Sequence, residues 1–99
     1  MVFTKKLHDG IRSGRITCTV RIWQRCHVKV GGRYKVGAGH VEVTAIQPIA
    51  LSDVTGEMAH RSGFAGVVDL LKVARHGPGR NVFLIHFKYH EPAGRVAKI

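Results

Sequence analysis

Residues 16–23 constrain the fold more than any other stretch. Ile16, Cys18, Val20 and Ile22 alternate with Thr17, Thr19, Arg21 and Trp23. Successive side chains of a strand point to opposite faces, so this period of two puts the four apolar residues on one side. The abundance of β-branched residues favours the pleated conformation over a helix. The pattern returns near the end of the chain, where Phe83, Ile85, Phe87 and Tyr89 alternate with Val82, Leu84, His86 and Lys88. Two half-buried strands far apart in sequence demand a sheet, and a sheet demands something to cover its apolar face.

The remaining elements are shorter. Phe3, Leu7 and Ile11 recur every fourth residue between Lys5, Lys6, Asp9 and Arg12, the spacing of one amphipathic helix, with Gly14 as its stop. Gly31 and Gly32 lead into a second strand over 33–36, and residues 37–39 form a turn into a third over 40–46. Pro48 limits how far that third strand pairs. Ser52 is placed to cap a short helix over 53–60, which Gly63 interrupts. Phe64, Val67, Val68, Leu70, Leu71 and Val73 form the apolar stripe of another helix, ending at the glycines and proline of 76–79. A polar tail begins near residue 91 and is expected to fray. With 99 residues the chain supports one domain across its whole length. The expected class is α+β, a small β-barrel or curled sheet with short helices flanking it.

Lys and Arg number 16 against 6 acids, a formal net charge of +10. The excess is concentrated between Arg12 and Lys35, where seven basic side chains occur with no acid. An imbalance of that density raises a positive potential on one face and favours a polyanionic partner. No apolar run is long enough for a transmembrane helix, and the first residues lack an export signal. A cytoplasmic setting with Cys18 and Cys26 as reduced thiols is therefore expected, with no membrane partner.

The common catalytic and cofactor signatures are missing from the sequence. The glycines at 31, 32, 37 and 39 are followed by no Gly-Lys-Ser/Thr and no helix, so they form no phosphate loop. None of the seven histidines shows a paired i, i+4 spacing with an acid on a helix, and Cys18, Cys26, His27 and His40 match no common metal site. Asp53 and Glu57 are four apart at a helix start, where acids complement the dipole. No metal or cofactor is expected. The strongest functional constellation combines basic and aromatic residues. Arg15, Thr17, Thr19, Arg21 and Trp23 share one face by strand spacing, joining forked phosphate donors, hydroxyls and a ring able to stack on a base.

The run Ser13-Gly14-Arg15-Ile16-Thr17-Cys18-Thr19-Val20-Arg21 resembles the signature of the ASCH domains of the PUA-like superfamily, Gly-x-Lys-x-x-Glu-x-Arg at the start of a barrel strand. Gly14 and Arg21 stand at the signature glycine and arginine. Residues 28–34 resemble the family's turn into its next strand, with Gly32 where aspartate is common, and residues 82–87 resemble its last strand. The resemblance spans roughly residues 3–90. It implies a PUA-like barrel with a cleft that takes RNA or a nucleoside derived from it.

One branch of similar length, the bacterial acetylcytidine amidohydrolases, uses a lysine, a threonine and a glutamate. The threonine falls on Thr19, but the lysine position holds Ile16 and the glutamate position falls near 61–63, where there is no acid. Arg15, Lys6 and Glu57 are the groups left to substitute. The expectation is thus an RNA-binding module. Its contacts are Arg12, Arg15, Thr17, Thr19, Arg21, Trp23, Arg25, Lys29, Arg33 and Lys35, with an open groove along the first strand. The alternative is an amidohydrolase on acetylated cytidine, or a weak ribonuclease, with Thr19 as the catalytic residue.

Overall fold

Phe3, Leu7 and Ile11 do share one side of the N-terminal segment, and all three are buried. The structure, a computed structural model, describes residues 3–75 and 79–92. Its first turn is a 3-10 helix, Lys5–Leu7, running into α1, His8–Arg12. Gly14 ends the helix as expected, with a positive φ of 81° and its N–H donating to the Ile11 carbonyl.

Four antiparallel strands follow: β1 Cys18–Trp23, β2 Arg33–Val36, β3 Gly39–Ile49 and β4 Asn81–His90. Their order in the sheet is β1-β4-β3-β2, so the last strand of the chain lies between the first and the third. The sheet curls into a half-barrel. Its concave face buries Val41 and Val43 of β3, Ile85 and Phe87 of β4, and Val36 of β2. The 3-10 turn and α1 close one end of this concavity, where Phe3 packs edge-on against Phe87 at 5.3 Å. Trp23 and Val28 fill the other end with Val43 and Ile85.

The convex face is covered over half its length only. There Val20 and Ile22 of β1 and Val82 of β4 pack beneath α2, Gly56–Arg61, and α3, Val67–Ala74. A 3-10 turn at Leu51–Asp53 precedes α2. The helix starts three residues past Asp53 because Thr55, not Ser52, caps it: the Thr55 hydroxyl accepts from the Met58 N–H. Gly66 leads into α3, which leaves Phe64 in the connection. The expected end of that helix at 76–79 lies mostly outside the described residues, as does the tail beyond 92.

β3 continues past Pro48, which pairs with Phe83. β2 reaches only as far as Glu42, so the stretch around Pro48 has β4 on one side alone, and its missing N–H removes no bond from β2. A bulge at Thr44 shifts the register between Val43 and Ala45. The extra residue brings Val41, Val43 and Ile46 to the same face, although their spacing is not strictly two.

Ile85 is fully buried on the central strand. Ile85→Ala should lower unfolding stability by about 2–5 kcal/mol in urea titration, with an unchanged m-value.

Candidate nucleic-acid interface

The groove expected along the second face of β1 is filled. Thr19 and Arg21 are each 6% exposed and Trp23 is 3% exposed. All six residues of β1 are buried because the sheet curls around one face while helices cover the other. The Arg21 Nε donates to the Thr19 hydroxyl at 3.2 Å, and the guanidinium lies 5.1 Å above the Phe3 ring. Burial pushes Arg21 below the ordinary guanidinium value, since charge has been removed from water. Trp23 stacks on His27 at 4.5 Å and touches Phe83, so its ring is committed within the protein. The cavity beside Thr19 measures about 10 Å³, room for one water at most. A nucleoside does not fit there, and the Thr19 hydroxyl is closed to substrate.

The other candidate residues remain at the surface, in two groups. Arg12, Arg15 and Thr17 are exposed where the chain enters β1, one edge of the sheet. Arg12 binds Asp9 at 2.6 Å. Arg33 and Lys35 are exposed on β2, the opposite edge. Arg25 and Lys29 lie exposed on the connection between those edges. Proximity along the chain therefore does not make one continuous patch.

A different grouping arises from strand register. Directly paired residues of neighbouring strands share a face with their Cβ atoms roughly 4.5–5.5 Å apart. Arg33 of β2 faces Glu42 of β3, which faces Lys88 of β4. In the next row Lys35 faces His40, which faces His90. These six side chains occupy the half of the convex face that α2 and α3 leave uncovered. The His40 and His90 rings stack at 5.0 Å and 20°, and the His90 Nε2 lies 3.0 Å from a Glu42 carboxylate oxygen. Three fixed cations and two imidazoles thus surround one acid. The grouping of Lys88, His40 and His90 with Arg33 and Lys35 is not legible in the sequence because its signal is divided among strands. The polar alternation of His86 and Lys88 was visible, but its proximity to Lys35 required the pairing.

Where this patch meets the helices, α2 and β4 bound a cavity of about 240 Å³. Cys18, Met58, Arg61 and His86 contribute to its wall. The Cys18 thiol shares a hydrogen bond with the buried Ser62 hydroxyl at 3.6 Å, consistent with the role of a small core residue. Both cysteines are free. Among the described residues, no three His, Cys, Asp or Glu side chains are grouped to hold a metal, and no helix is long and apolar enough to cross a membrane. Comparison of the chain with models of known protein families, with curated proteins and with solved structures finds no match.

Arg21 is thereby a packing residue. Arg21→Ala should cost about 2 kcal/mol or more of stability, read by urea denaturation, because it empties a buried space over Phe3. Arg25→Ala, at an exposed position, should leave stability within about 0.5 kcal/mol of the parent.

Proposed function

We propose that this chain is a small ASCH-type RNA-binding module of PUA-like architecture that holds the RNA backbone on its convex face rather than in a cleft of β1. The observation that carries the reading is the row-by-row register that places Arg33, Lys35 and Lys88 together on an uncovered sheet surface. The resemblance of residues 13–21 to the ASCH signature supports the same ligand class. So does the overall charge of +10, far more than solubility requires.

A convex sheet face with cations at strand spacing suits a flexible phosphate chain. Each strand lies about 4.8 Å from the next, and each exposed position is about 7 Å from the following one. That grid offers several phosphates a partner without demanding one base sequence. Contacts of this kind fix position and supply affinity, while sequence readout is weak. The 240 Å³ cavity adjoining the grid falls below the size of drug-sized ligand pockets and has room for a single ring system. Hydrolysis of an acetylated cytidine through Thr19 is disfavoured by the burial of that hydroxyl.

Fluorescence anisotropy with a single-stranded RNA tests the proposal. Three phosphate contacts to a single strand predict a log–log salt slope of about −2. Lys35→Glu combined with Lys88→Glu should weaken binding at least about tenfold and flatten the slope by about 1.4. Binding that ignores salt, or no binding at low salt, would overturn the reading.

A further inference from the structure

We infer that the stacked His40–His90 pair is a phosphate seat whose occupation takes up a proton, so that anion binding by this face strengthens as pH falls. The inference takes the identity of the ligand, a phosphodiester, from the RNA-binding reading, while the seat itself rests on the imidazole geometry.

Lysine and arginine patches keep their charge throughout the neutral range, so a site made of them alone has no proton linkage there. Histidine is the side chain that changes charge between about pH 5 and 8. Here two imidazoles lie in one cationic grid, nearly parallel and 5.0 Å apart. Arg33 and Lys35 flank them from β2, Lys88 from β4, and Glu42 stands beside His40 on β3. The chain segment packed at the β2–β3 turn brings His8, whose ring approaches Gly37 and whose Nε2 lies 3.3 Å from the Phe3 carbonyl.

Glu42 is the one carboxylate within this set, and the His90 Nε2 is bonded to it. A charge on one imidazole has that partner. Charging both places two stacked cations among three more, with one acid to offset five positive groups. An incoming phosphate supplies the missing negative charge and favours the charged forms of rings next to it. A protonated His40 ring in turn offers N–H donors on both nitrogens, while His90, its Nε2 engaged by Glu42, offers Nδ1, and such charge-assisted bonds are stronger than neutral ones. Anion binding and protonation therefore promote each other, as linkage requires. Both rings are only partly exposed, which limits screening by solvent.

The test uses the full chain and a fluorescent oligouridylate, whose base does not titrate in this range, at constant ionic strength. Affinity should rise at least about fivefold between roughly pH 8 and pH 6. The double variant His40→Gln/His90→Gln should lose that rise while keeping the salt slope of the parent near pH 8. A parent with pH-independent affinity would overturn the seat, as would a double variant that keeps the full pH dependence.

A second arm needs no variant. Titration of the unmodified protein with inorganic phosphate, followed by the imidazole C–H resonances, should move His40 and His90 ahead of His27 and His60. If phosphate leaves these two resonances unmoved, the seat is excluded. If phosphate moves them but oligouridylate does not bind, the seat stands and the RNA reading fails. If oligouridylate binds with a salt slope and no pH dependence, the RNA reading stands and the seat fails.

Discussion

The insertion of β4 between β1 and β3 is the constraint on which the rest of this structure depends. Residues 81–90 hydrogen-bond on both sides, to a strand more than fifty residues earlier and to another more than thirty residues earlier. Until β4 arrives, β1 has no strand partner and the two halves of the molecule have no common sheet. Its concave side chains serve both ends of the inner core, Phe87 in the cluster beneath α1 and Ile85 in the cluster around Trp23. Its convex side chains, Val82 and Leu84, supply the floor for α2 and α3. Such long-range pairing must pay the loop-closure entropy before burial rewards it, so formation of this sheet is the demanding part of folding.

The same insertion accounts for the fate of Arg21. On an open sheet, a guanidinium between a hydroxyl and an indole on one strand face meets solvent. In a curled sheet, that face turns inward, and the N-terminal segment is laid across it. Arg21 is then held by Thr19 and the Phe3 ring. A buried guanidinium stays charged, so it must be matched by specific contacts.

Surface charge is distributed by the same geometry. Along the convex side of β4, the order Val82, Leu84, His86, Lys88, His90 changes from apolar to cationic. The helices cover the apolar part and stop at the α2 cavity. Beyond it, β2 and β3 contribute their own polar residues in register, and the result is a cationic grid with a histidine pair at its corner. The proposed function uses side chains that fold topology assembles from three strands, none of which carries a sufficient signal by itself.

The residue pattern alone determined the strands of β1, β2 and β4, the helix stop at Gly14, the burial of Phe3, Leu7 and Ile11, and the α+β class. Each follows from local chemistry, whether side-chain alternation, a positive φ suited to glycine, or four-residue spacing. Local pattern also placed Arg33 and Lys35 on an exposed strand. Tertiary structure decided the rest. Alternation specifies that a strand has two faces, but not that both will be buried, so Thr19, Arg21 and Trp23 could be assigned to a groove that curling eliminates. Nor does alternation across a single strand specify its neighbours. Lys35, His40 and His90 meet only because β3 pairs with β2 and β4 in one register, and that register is set by side-chain packing across strands distant in sequence.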